Sequence, residues 1–187
     1  VLLSLCVTTG FGQHIFNVDP VQAAEIAAFM KQPSAVEGKC NAEVLGIVTT
    51  ASEFSWDDIN TWKNADGKVW ADGATADYAP TVFGFGFKKN APYNGGASWI
   101  CLITNKDDDK WNPAIPGVAD LKGNFILSNC NATTVKIANS QINTIKICMN
   151  NPTEDCYIST KRNSNLEQLD ISGSTGKLRQ IEAYKNK

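Results

Sequence analysis

The sequence predicts an α+β, β-rich fold, an N-terminal strand and helix followed by an antiparallel β-sheet or sandwich held by disulfides. Three observations point there. One segment carries a full set of helix start and stop signals, eight short β-branched or alternating runs follow with turn formers between them, and the six cysteines lack metal-ligand spacing.

Val1, Leu3, Leu5 and Val7 fall on one face at period two, with Ser4, Cys6 and Thr8 on the other. That apolar start resembles the tail of a secretory signal but has no basic beginning, so it reads as a half-buried strand. A terminal strand can pair in its own sheet or complete a neighbouring subunit by strand addition. Asp19 is a good N-cap with Pro20 at the first helical position, Gln22 placed to reach back in a capping box and Val18 to staple onto Ala23. Strong helix formers run from there to Pro33, with Ile26, Phe29, Met30 and Pro33 as the apolar stripe. A second helix is expected from Ser55 through Trp56, Ile59 and Trp62 to the break at Asn64-Ala65-Asp66-Gly67.

Strands are expected at 43–50, 68–71, 81–88, 98–104, 124–129, 133–138, 143–149 and 155–160, and as a final hairpin, 169–172 and 177–183, around Gly173-Ser174-Thr175-Gly176. No internal repeat or linker interrupts the pattern. Residues 1–40 read as an N-terminal arm or subdomain, and 41–187 as one β-rich domain.

Cys6, Cys40, Cys101, Cys130, Cys148 and Cys156 fit an oxidising compartment with up to three disulfides, the turn-rich loop between Cys148 and Cys156 offering one local pair. The 187 residues are 43% hydrophobic and only 19% charged, and asparagine, eighteen in all, supplies much of the polar surface. A net charge of −2 gives no electrostatic footprint for nucleic acid, and the balance of the chain gives no sign of membrane insertion.

Catalytic signals are sparse. His14 is the single imidazole, so any nucleophile-histidine mechanism must pass through it, and neither a nucleophile elbow nor a phosphate-binding loop exists. No catalytic residue and no cofactor are assigned. Asp107 and Asp109 have the alternate spacing a Ca²⁺ loop can use, though the following residues do not complete an EF-hand. In Phe83-Gly84-Phe85-Gly86-Phe87 an extended backbone puts the rings on one face and leaves Gly84 and Gly86 bare on the other, a groove for an internal element or for another subunit. Trp70, Tyr93 and Trp111 sit beside amide and carboxylate residues, the mix of ring faces and planar hydrogen-bonding groups that a sugar surface needs.

Together these features predict a non-enzymatic, secreted or cell-surface structural or adhesive protein, a subunit of a filament or pilus-like homo-oligomer assembling through Val1, Leu3, Leu5 and Val7. Two readings from other classes stand beside it. One is a monomeric module binding a surface glycan through Trp70, Tyr93 and Trp111. The other is a secreted hydrolase with paired carboxylates drawn from Asp57, Asp58, Asp107 and Asp109.

Overall fold

A computed structural model describes residues 19–68, 83–87, 97–104 and 115–186. Helix α1 spans Pro20–Lys31, as its caps predict. Asp19 Oδ1 accepts from the Gln22 backbone N–H at 2.9 Å, and Gln32 leaves the helix in extended backbone ahead of Pro33. Ile26, Phe29 and Met30 are buried. The Gln22 side chain, however, does not turn back on the helix. It is fully buried, and its Nε2 donates to the Asn129 carbonyl at 3.0 Å.

Two expectations between α1 and the sheets need correction. The run 43–50 is not a strand, because the Cys40 N–H donates to Glu43 Oε2 at 2.8 Å and this box starts a short helix, α2 (Asn41–Val44). The helix expected from Ser55 reduces to one 3-10 turn, Ile59–Thr61. Thr61 Oγ1 and Trp62 Nε1 both donate to the Ser55 carbonyl, and such side-chain bonds compete with helix propagation. Trp62 is completely buried there, packed with Trp56 and Phe54.

The strands are β1 (Phe85–Phe87), β2 (Ala97–Leu102), β3 (Lys122–Cys130), β4 (Thr134–Ala138), β5 (Gln141–Met149), β6 (Asp155–Lys161), β7 (Gln168–Asp170) and β8 (Lys177–Tyr184). Their positions follow the sequence closely, but their pairing does not. One sheet has the order β1-β2-β4-β6-β8 and the other β3-β5-β7. Among the described residues only β1 and β2 pair antiparallel, and every other pairing is parallel. The antiparallel sheet or sandwich is therefore replaced by a parallel-sheet fold with few helices.

Consecutive strands from β3 onward alternate between the sheets, so each coil of the chain lays one strand in each and the coils stack as a solenoid. The crossover that parallel pairing requires is the strand in the opposite sheet, which is why links as short as a hairpin turn suffice. The expected hairpin of 169–172 with 177–183 fails for the same reason: β7 pairs with β5, and β8 with β6.

No internal repeat was expected from the sequence, but a 23-residue step underlies the stacking of β4, β6 and β8. Val135 lies beside Ile158 and Ile158 beside Ile181, steps of 158 − 135 and 181 − 158. The corner after each strand repeats too. Asn139, Arg162 and Lys185 all hold left-handed backbone, φ 57°, 53° and 54°. The next residue of each corner turns inward to form a polar ladder of Ser140, Asn163 and Asn186. Asn163 Oδ1 accepts from the Ser140 N–H at 3.1 Å and Ser140 Oγ at 2.8 Å, while its Nδ2 donates to the Ile137 carbonyl at 3.0 Å and Asn186 Oδ1 at 3.2 Å.

At the other end of the stack, β3 would expose its outer edge, and polar side chains of the helical segment cover it. Asn41 Nδ2 donates to the Lys122 carbonyl and its Oδ1 accepts from the Lys122 N–H; Gln32 makes the same double contact with Asn124. Glu25 accepts from the Ser128 N–H. Helix α1 thus occupies the place of a strand, and it shares one hydrophobic core with both sheets.

Cys40, Cys101, Cys130, Cys148 and Cys156 are free thiols, and Cys6 lies outside the described residues. This overturns the disulfide framework and, with it, the reason for placing the chain in an oxidising compartment. Nothing among the described residues indicates secretion, filament assembly or adhesion either. Burial pushes the Cys130 thiol up to about 12. Alkylation near neutral pH without reductant should label the half-buried Cys40 and Cys148 in the native protein and spare Cys130. In denaturant all should react, and a pair that reacts only after reduction would restore a disulfide. A thiol with its folded pKa raised stabilises the fold fully below its unfolded value and progressively less above it. The urea midpoint should therefore fall as pH rises from about 8.5 towards 12.

Candidate functional site

The outward side chains of the five-stranded sheet form a small grid, because parallel register sets equivalent residues of successive coils side by side. Thr134, Tyr157 and Gln180 make one row across the strands, and Lys136, Ser159 and Glu182 the next. In the third, Ala138 lies beside Lys161 and Lys161 beside Tyr184. A groove of about 520 Å³ opens over this grid, reaching Ile103 on one side and Arg162 at the corner. Tyr157 and Tyr184 are 37% and 43% exposed, uncommon for large rings on the same face, and they stand four positions apart on neighbouring strands.

Electrostatics centre on Lys161 and Glu182. Lys161 Nζ lies 2.9 Å from Glu182 Oε2 and 5.1 Å from the centre of the Tyr184 ring. Glu182 also accepts from Ser159 Oγ at 3.2 Å and from Gln180 Nε2 at 2.7 Å. The Lys161 ammonium holds the Glu182 carboxyl below the usual carboxylate range, and Glu182 in turn holds Lys161 above its ordinary value. Both are charged at neutral pH. The pair is half exposed, so it orients groups more than it stabilises the fold.

No family model, curated protein or solved structure matches this chain. Function must be read from the chemistry of the groove. Its lining has one carboxylate among the described residues, held ionised, whereas glycoside hydrolysis by paired carboxylates needs a second one about 5–9.5 Å away. Rings, an amide, a hydroxyl and fixed charges can bind and orient a polar chain without cleaving it.

None of the residues singled out from sequence is among the described residues that line the groove. Val1, Leu3, Leu5, Val7, His14, Trp70, Tyr93, Asp107, Asp109 and Trp111 are outside the described residues. Gly86 is in β1, paired with Trp99 of β2. Gly84 precedes the strand with φ 84°, and a Cβ there would meet the Cys101 carbonyl oxygen and Leu102 Cδ2, both at 2.8 Å, so β2 fills the space beside it. Asp58 Oδ1 accepts from the Asn60 N–H and caps the 3-10 turn; its neighbour Asp57 is exposed. No group of three or more His, Cys, Asp or Glu suited to a metal occurs among the described residues, nor does any helix there have the length and apolarity to cross a membrane. Tyr157, Lys161, Arg162, Glu182 and Tyr184 escaped sequence reading. The 23-residue alignment of Thr134–Ser140, Tyr157–Asn163 and Gln180–Asn186 was the signal that would have set them on one surface.

Proposed function

We propose that this protein is a binding module that holds an extended saccharide on the outward face of its five-stranded sheet. The observation that carries the reading is the pair of solvent-facing tyrosines, Tyr157 and Tyr184, framing a groove floored by Lys161, Ser159, Gln180 and Glu182. Ring faces stack on the apolar side of a sugar, and the side chains between them meet hydroxyl groups. About 520 Å³ is enough for a short oligosaccharide segment. An extended peptide is the weaker fit. Its backbone would seek an open strand edge, and this groove lies over the sheet face between β4 and β8 and not along the outer edge of β8.

The test is a glycan array followed by calorimetric titration of the best hit. Tyr157→Ala and Tyr184→Ala should each weaken binding by at least about fivefold, the loss typical of a buried aromatic anchor, with melting unchanged because both rings are surface groups. No saccharide bound, or affinity indifferent to both substitutions, would sink the proposal.

A further inference from the structure

We infer that the outer edge of β8, a surface separate from the groove, takes an extended acidic segment of another polypeptide as an added strand. The two ends of the stack are finished differently. At β3 the side chains of Glu25, Gln32 and Asn41 engage backbone groups of the outer edge. At β8 the core row itself is uncovered. Val135 and Ile158, inward residues of β4 and β6, are 0% and 1% exposed, whereas Ile181, in register with them, is 46% exposed. Ala183 is exposed as well, although Thr160 beside it in β6 is fully buried. The backbone is set to receive a further strand. The Tyr184 carbonyl accepts from the Arg162 N–H at 3.2 Å and so faces the β6 side. Alternation along extended chain then turns the N–H and C=O of Ile181 and Ala183 outward, donors and acceptors spaced for a strand partner. The register with β6 runs without a shift from Gln180 to Tyr184, so this stretch of the edge is regular.

Charge selects the partner. Lys177 begins β8 and Lys185 follows its last residue, about 26 Å apart along extended backbone. Both are exposed, and neither side chain has a hydrogen bond or ion pair among the described residues. Glu182 and Asp155, the acids of β8 and of its neighbour β6, are already held by Lys161 and Arg179. Lysines flanking a sheet edge reject a strand of like charge. A second copy of this chain is disfavoured on that ground, since two-fold antiparallel pairing centred on Ile181 sets Lys177 of each copy against Lys185 of the other. A segment with apolar side chains at alternate positions and carboxylates at both ends covers Ile181 and meets both lysines.

The full chain is titrated with a labelled peptide of about nine residues, valine and threonine alternating between glutamates at both ends, and binding is read by fluorescence anisotropy. A lysine-ended twin tests the charge, and a copy N-methylated along one edge tests the backbone pairing. At low salt the acidic peptide should bind at least about tenfold more tightly than the lysine-ended one. N-methylation should abolish binding, because it removes the donors that a ladder needs. Lys177→Gln combined with Lys185→Gln should lower the affinity about fivefold with melting unchanged, both side chains being exposed and unpaired. Ile181→Glu should lower it further by placing a like charge under the peptide. No binding of the acidic peptide, or equal binding of the lysine-ended twin, would overturn the inference. Binding indifferent to N-methylation would show attraction to the lysines without an added strand, and would overturn it too. A dimer of the chain alone in sedimentation, broken by Ile181→Glu, would give the edge to a second copy instead.

Discussion

Phe125→Ala is expected to cost about 4 kcal/mol of stability and to lower the melting temperature by about 8–16 °C. The ring is fully buried, and its aromatic neighbours come from two elements other than its own strand. Phe29 of α1 meets it edge-on, centroids 5.0 Å apart and planes at 87°, and the Phe85 ring of β1 lies 6.2 Å away. Phe125 itself is in β3. It therefore touches the capping helix, the three-stranded sheet and the edge of the five-stranded sheet together, and a cavity there has no single mobile element that can collapse into it. Against a typical total of about 5–15 kcal/mol, the loss is a large fraction of the whole. Phe125→Leu, which keeps most of the volume, should cost under about 2 kcal/mol, and urea denaturation of both variants measures the difference. Equal and small losses for the two would mean that the three-way contact does not hold the sheets together.

Much of this core was legible in the sequence. The caps at Asp19 and Pro33 predicted α1, and apolar alternation located β3 to β6 within a few residues. What alternation could not supply was the partner of each strand. Val135 and Ile137 point inward whether β4 pairs with the strand just before it, as in a hairpin, or with one 23 residues away, as it does. Short turns look alike in the two cases, because the chain here crosses to the opposite sheet instead of doubling back. The distinguishing signal was the polar corner. Asn139, Arg162 and Lys185 are chemically unrelated and share only their backbone, while Ser140, Asn163 and Asn186 share an inward polar role that composition reads as turn and surface. The same blindness hid the groove, for Tyr157, Lys161 and Tyr184 become neighbours only once the coils are stacked in register. Aromatic residues near amides drew attention to Trp70, Tyr93 and Trp111, whereas the exposed rings of the described sheet face are tyrosines in regular strands.

Asn163→Ala is expected to cost about 3 kcal/mol, a fall of about 6–12 °C in melting temperature, even though it removes no apolar contact of consequence. Asn163 is completely buried, and its amide satisfies the Ser140 N–H and hydroxyl, the Ile137 carbonyl and Asn186 Oδ1. Alanine leaves several of these unpaired away from water, which is far more costly than the net worth of a bond exchanged with solvent. Position in the ladder then orders the variants. Asn163→Ser should retain part of the stability, since a hydroxyl already fills the equivalent place at Ser140. Asn186→Ala should cost less than Asn163→Ala, because Asn186 is half-buried and water can replace it. The corner also carries Arg162 into the groove, so loosening it should weaken ligand binding as well as the fold. Asn163→Ala, assayed well below its melting point, should bind the saccharide several-fold less tightly than wild type. Unaltered affinity in a destabilised variant would show that the groove keeps its shape without help from the ladder behind it.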